Sequence, residues 1–220
     1  MYKITFKFKV PLVYLGHEKP CLDAILSYCE YREKYYKSNN IKTPSGKELK
    51  QFNLDFLRKN KHGFYETSYI FCDKAIEDSN YWRKRWECKF EQFLDNKKNI
   101  NTKQGLYKSY NVRFTTYSIN EGWFYFNGDI EYIDHLVNNN LIGIGKKVKI
   151  GFGWVNSFDI KEVGNSNCLY YRTLPFKFGK EFCKNNNIRY DIQLGSYRVP
   201  YWHGEYEPII YPKVSNVYDC

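Results

Sequence analysis

No Cys-x-x-Cys pair occurs among the seven cysteines, which stand at 21, 29, 72, 88, 168, 183 and 220. The number is odd and the spacing fits neither a zinc ribbon nor a disulfide framework. Reduced, mostly buried thiols in a cytoplasmic protein are therefore expected. Histidine is scarce: His17, His62, His135 and His203 are scattered, and no cluster has metal-ligand spacing. Neither a metal nor a cofactor is expected, and no nucleophile triad can be argued. No apolar run approaches the roughly 20 residues that span a bilayer. Lys3, Lys7 and Lys9 interrupt the start, so neither a membrane partner nor a leader is expected. Acidic charge is also short, with 24 Asp and Glu against 34 Lys and Arg, a formal charge of +10. That excess favours polyanionic partners bound with salt-dependent affinity. Aromatics reach 20%, with 22 Tyr, 16 Phe and 5 Trp, and serve both as core formers and as stacking platforms for unpaired bases.

Glycine is concentrated where it is present. Residues 143–153 read Gly-Ile-Gly-Lys-Lys-Val-Lys-Ile-Gly-Phe-Gly, so four of the 14 glycines fall in this one stretch. Two Gly-hydrophobic-Gly clips, Gly143/Gly145 and Gly151/Gly153, flank Lys146, Lys147 and Lys149. Glycine permits positive φ and close backbone approach, and successive N–H groups can form an anion-binding concavity. A Walker A loop is excluded because no Ser or Thr follows in register. A dinucleotide fingerprint is excluded because the third glycine position from Gly143 is Val148. Two readings remain: a phosphate-binding loop of another kind, and a solvated basic turn between strands.

The 220 residues suit one large domain or two small ones. Tyr2, Ile4, Phe6, Phe8 and Val10 alternate with Lys3, Thr5, Lys7 and Lys9, which predicts a half-buried strand with a basic outer face. Leu22, Ile25, Leu26 and Cys29 predict a helix over about 21–36, with Asp23 near its positive end. Residues 37–63 form a polar insert with a short helix near Leu49–Lys59, and 95–104 a second polar loop. Strands are expected over Thr67–Cys72, Gly105–Ser118 and Gly122–Gly128. Ile130, Ile133, Leu136 and Val137 predict a helix over Asp129–Asn139. Trp82 and Trp86 lie four apart, as on one face of a helix. After the glycine stretch comes a strand, Val155–Val163, and then a less regular tail. The order approximates an α+β, ferredoxin-like (RRM-like) βαββαβ unit over 1–165 with insertions. An irregular C-terminal extension over 166–220 is expected to pack on it or on a neighbouring subunit.

The run Gly143–Gly153 resembles the glycine-rich loop of the RAMP superfamily of CRISPR-associated proteins. Leu22-Asp23-Ala24-Ile25-Leu26, Tyr81-Trp82-Arg83-Lys84-Arg85, Trp123 before Gly128-Asp129, and Arg172-Thr173-Leu174-Pro175 resemble the small RAMP subunit of type IV CRISPR effector complexes. The resemblance covers most of residues 1–175. It implies a ferredoxin-like fold with RNA bound along the sheet and at the glycine loop. It further implies a subunit that caps the 5′ handle of the guide RNA (crRNA), with backbone and large effector subunits as partners, in RNA-guided defence or competition between elements.

On this basis Gly143, Gly145, Lys146, Lys147, Lys149, Gly151 and Gly153 are candidate RNA-binding residues. Arg83, Lys84 and Arg85 are further candidates for RNA, or for target DNA in an assembled complex, against the plain alternative of a solvated charged face. Asp73, Asp78, Glu30 and Glu33 read as surface charges. His17 is the one enzymatic candidate. Some RAMP relatives are metal-independent endoribonucleases with a histidine after the first strand, where it acts as general acid or base on RNA. The expectation is a non-catalytic RNA-binding subunit, with a His17 precursor-RNA endoribonuclease as the alternative.

Overall fold

The N-terminal alternation forms β1 (Tyr2–Phe8), the middle strand of a three-stranded antiparallel sheet. The structure is a computed structural model that describes residues 1–14, 19–35, 53–85, 87, 101–104, 108–164, 168–197, 199 and 206–213. On one side of β1 lies β4 (Glu121–Phe126), with Ile4 opposite Phe124. On the other lies β5 (Val155–Glu162), with Ile4 opposite Ile160. Along the far edge of β4 runs an extended segment in which Thr67 is bridged to Phe126 and Phe71 to Trp123, both antiparallel. Phe71 and Trp123 exchange backbone hydrogen bonds of 2.9 and 2.8 Å. The continuous strand expected over Thr67–Cys72 is broken at Ser68. Its hydroxyl accepts from the Tyr125 N–H at 2.8 Å and donates to the Tyr69 carbonyl.

Two helices cover the face that carries Ile4, Phe6, Phe124 and Phe126, and share one apolar cluster with it. In α1 (Leu22–Tyr35) the expected stripe Leu22, Ile25, Leu26 and Cys29 is buried. In α2 (Ile130–Asn140), Ile133, Leu136 and Val137 are buried, and Asp129 caps the start by accepting from the Tyr132 N–H at 3.2 Å. Fully burying a side chain such as Phe6 contributes about 1.5–3 kcal/mol. A polar seam joins the helices. The Tyr132 hydroxyl donates to Glu30 at 2.9 Å, Lys34 pairs with Glu30 at 2.7 Å, and Asn140 donates to Glu33 at 2.8 Å. Glu30 and Glu33 are thus interhelical acceptors, where surface charges were expected. Burial and the Glu30 carboxylate push the Tyr132 phenol up to about 12.

The stretch expected to be helical around Trp82 is a strand. β2 (Ile76–Lys84) pairs antiparallel with β3 (Tyr110–Ser118) as a two-stranded ribbon, with Trp82 opposite Val112. Trp86 lies outside the described residues. Of the helix expected near Leu49–Lys59, residues 49–52 lie outside the described set. Residues 53–59 form a turn that buries Leu54 and Leu57 and bridges Leu57 to Gly128.

The tail is also more regular than expected. β6 (Leu174–Pro175), α3 (Phe176–Asn185), β7 (Arg189–Gly195) and β8 (Glu207–Lys213) build a second antiparallel sheet, ordered β6-β8-β7, with a helix against it. Leu174, Cys183, Ile209 and Ile210 centre its own apolar cluster, which Phe64 joins from the preceding part of the chain. The described residues are mixed α and β with antiparallel sheets and three α-helices, in keeping with an α+β class.

The two clusters meet at Arg172, which is fully buried. Its guanidinium donates to the carbonyls of Tyr65, Thr173 (3.2 Å) and Tyr197 (2.9 Å), lies 3.7 Å from the buried Asp23 carboxylate, and sits 4.5 Å over the Phe64 ring. Asp23 therefore serves this pair at the start of α1. Cys21, Cys29, Cys168 and Cys183 are free and buried, as expected. Buried Cys72 is disulfide-bonded, against the expectation of reduced thiols. Spacing arithmetic does not detect such a bridge, because pairing depends on proximity in the fold. Burial pushes the Cys29 and Cys168 thiols up to about 12. No helix among the described residues is long and apolar enough to cross a membrane.

Two outcomes are expected. Arg172→Met leaves Asp23 buried without its cation, so it should lower unfolding free energy by about 3–5 kcal/mol in urea titrations. An Asp23→Asn/Arg172→Met double variant should recover a large part of that loss. A single-variant loss below about 1 kcal/mol, the range of exposed pairs, would show that the junction does not depend on the pair. Second, unfolded thiols ionise before the buried ones, so stability should fall as pH rises from about 9 toward 12. Iodoacetamide at pH 8 should label Cys29 and Cys168 readily in urea and far more slowly in the native protein, where burial disfavours the thiolate.

Candidate nucleic-acid interface

The glycine stretch leaves α2 at Leu141 and enters β5 at Val155, and its two clips close on each other. Gly143 is bridged to Trp154, and the Ile144 N–H donates to the Gly153 carbonyl at 2.9 Å. The loop is also stitched to the chain following β1. The Lys146 N–H donates to Val13 at 2.6 Å and the Gly153 N–H to Pro11 at 2.8 Å. Gly153 has φ 66°, and a Cβ there would lie 2.0 Å from the Ile144 carbonyl oxygen. Gly151 has φ 101° but open space around it. Within this one clip, glycine is thus required at Gly153 by close packing and at Gly151 by backbone direction alone.

This closure limits the anion-binding concavity expected from the sequence. The N–H groups of Ile144, Lys146, Ile150, Gly151, Phe152 and Gly153 donate to carbonyls within the protein. The loop's attraction for anions therefore rests on Lys146, Lys147 and Lys149, all exposed. Lys147 is set by a left-handed backbone, φ 63° and ψ 23°, just before a 3-10 turn at Val148–Ile150. Its ammonium lies 5.2 Å from the Trp82 ring centroid and 5.0 Å from that of Phe114. Phe152 meets Phe114 edge-on at 5.4 Å. The loop and the base of the ribbon therefore form one basic and aromatic surface.

Strand alternation divides the ribbon residues between two faces. Trp82, Lys84 and Phe114 share the loop-facing side, where Trp82 donates to the Tyr110 hydroxyl. Tyr81, Arg83 and Arg113 share the other. Arg83 lies 5.0 Å over Tyr81 and donates to Asn111 at 3.1 Å, and Arg113 donates to Ser79. The run Arg83-Lys84-Arg85, contiguous in sequence, is thus split, and Arg85 lies just past β2, exposed. Arg113 was missed by sequence reading. Its only signal was an Arg in an alternating strand, and its place opposite Tyr81 needs the pairing register.

The basic outer face expected of β1 is largely engaged. Lys3 lies 4.2 Å over Trp123, and Lys7 pairs with Glu121 at 3.4 Å. His17 lies outside the described residues. His135 is on α2, 3.6 Å from Glu33. Among the described residues, no group of three or more His, Cys, Asp or Glu is placed to hold a metal ion.

A family model described as CRISPR type IV associated protein Csf3 matches residues 58–211. The match takes in the ribbon, the glycine loop and the C-terminal sheet, including residues past 175 for which the sequence suggested no counterpart. A search of curated proteins finds no match.

The two kinds of glycine should separate by substitution. Gly153→Ala places a methyl group on a backbone carbonyl and should lower the urea midpoint clearly. Gly151→Ala should cost only about 1–2 kcal/mol for a left-handed backbone. Equal losses at the two positions would contradict the closed-clip geometry.

Proposed function

The chain belongs to the Csf3 family of type IV CRISPR-associated proteins and is a component of a type IV CRISPR-associated complex; from that premise we propose that it is a non-catalytic guide-RNA-binding subunit that caps the 5′ handle. The observation that carries the reading is the shared surface of glycine loop and ribbon, where Lys147 packs against Trp82 and Phe114 beside exposed Lys146 and Lys149. Fixed lysines suit phosphates, and neighbouring rings suit splayed bases. A net charge of +10 supports the same partner class. The fold is read as a ferredoxin-like RAMP unit. In support, the bridged segment 67–71, β4, β1 and β5 lie side by side in that order and antiparallel, with two helices on one face.

In this reading the protein's work is electrostatic and geometric. The lysines hold backbone phosphates, Arg83 and Arg113 extend the positive strip along the ribbon, and neighbouring effector subunits dock around the bound strand. The runner-up role, a His17 endoribonuclease, is ranked second because His17 is an isolated histidine with no second histidine at helpful spacing.

Purified protein should bind fluorescently labelled single-stranded RNA with an affinity that falls with salt. Lys146→Ala/Lys147→Ala/Lys149→Ala should weaken binding and lower the log–log salt slope by about two, at roughly 0.7 per phosphate contact on a single strand. Unchanged affinity and slope in the triple variant would remove the loop from the interface. Repeat RNA incubated with the protein in EDTA should stay intact. Cleavage that disappears in His17→Ala would assign the alternative function.

A further inference from the structure

The chain leaves the glycine loop through Trp154, which is 46% exposed and is the one exposed tryptophan among the described residues. Its place is fixed by three contacts. The indole N–H donates to the Val148 carbonyl at 3.1 Å, which tethers the ring to the 3-10 turn that carries Lys149. The Trp154 backbone is bridged to Gly143, and its carbonyl accepts from the Lys9 N–H at 3.0 Å. No ring or cation of the described residues stacks on it. Trp82 and Phe114 on the ribbon differ, because the Lys147 ammonium lies over both. Nor is Trp154 a stray apolar side chain. Ile142 and Ile150 are exposed on the same loop, at 49% and 43%, and such clustering marks an interaction site. The charges beside it are positive. Lys9 and Lys149 are exposed, and neither residues 1–14 nor residues 135–158 contain an Asp or Glu. Across β1, Glu121 is engaged by Lys7 at 3.4 Å.

We propose that Trp154 is the base-stacking residue of the glycine loop: an unpaired base of the bound RNA lies on its indole while the adjoining phosphates meet Lys149 and Lys9. The proposal rests on the RNA-binding reading above and adds a residue that lies outside both the glycine motif and the ribbon. Single strands are held by a positive track combined with aromatic faces, because every base has a π-face. A tryptophan whose N–H is already satisfied offers its ring with no polar demand left over. A ring tethered in advance also gives up little freedom on binding. The closed clip ends at Gly153, immediately before Trp154, so closure of the loop decides where the indole stands. Lysine is depleted at the centres of protein interfaces, so two lysines flanking an exposed ring suit a polyanion better than a protein surface.

The test uses the full chain at low salt with two ligands: a random-sequence single-stranded RNA of about 12 nucleotides, within the usual site size for such binding, and an abasic ribose-phosphate oligomer of the same length. Trp154→Leu keeps apolar bulk and removes the aromatic face. It should weaken RNA binding about 5- to 150-fold, the range for losing one base stack, and leave binding of the abasic oligomer unchanged. Trp154→Phe keeps a ring without the bond to Val148 and should retain most of the RNA affinity. Equal weakening on both ligands in Trp154→Leu would assign the indole a purely structural role in the loop and overturn the proposal. RNA affinity unchanged in Trp154→Leu, while the triple lysine variant still binds weakly, would overturn it and leave the RNA reading intact. The exposed ring would then belong to a contact with a partner subunit. No RNA binding by the parent protein would overturn both.

Discussion

The buried guanidinium of Arg172 is the contact on which the arrangement of the chain depends. It ties the start of α1 through Asp23, the segment beside β4 through Tyr65, and the C-terminal sheet through Tyr197. Three parts of the chain that are remote in sequence thereby share one cation. Such a group is expensive to bury and is tolerated only where several acceptors surround it. Its planar fork supplies donors in fixed directions, which lysine could not match. The consequence is geometric: α1, the segment beside β4 and the C-terminal sheet meet at one side chain.

The glycine loop illustrates how a binding motif can be structural first. Its clips bond to each other and to residues 11–13, so the loop is a closed buttress at the end of β1. Closure uses up backbone donors and leaves the lysines outside. Lys147 is then oriented by its own left-handed backbone and by two aromatic rings of the ribbon. An ammonium against aromatic faces is held by their quadrupoles at a modest energy, about 0.5–2 kcal/mol. That is enough to bias its position and too little to remove it from reach of a phosphate.

Local periodicity made the first half of the argument legible. The alternation of β1, the stripe of α1, and α2 with its Asp129 cap all follow from nearest neighbours in sequence. The glycine clips were legible as a pattern, and the family match includes them. What failed was whatever depends on a distant partner. Trp82 and Trp86 fit a helical period, while Tyr81, Arg83 and Arg85 fit a strand period, and only pairing with Tyr110–Ser118 decides between them. Arg172 carries the residue type least expected in a core, so its role appears only with Asp23 beside it. The C-terminal sheet escaped notice because β6 has two residues and gains its identity from β8. The place of Arg113 opposite Tyr81 was invisible for the same reason.

Among the described residues the ribbon β2–β3 has no third strand to stiffen it, and two-stranded ribbons are marginal by themselves. Its trunk end is anchored where Leu12 pairs with Tyr117 and Tyr14 stacks on the same residue. Its next support outward is the Lys147 contact with Trp82 and Phe114. In mechanical terms the ribbon is a cantilever held at its trunk end and again by the glycine loop, through Lys147 in its left-handed turn and through Phe152 against Phe114. The ribbon and the glycine loop therefore cannot be repositioned independently without breaking the contact of Lys147 with Trp82 and Phe114.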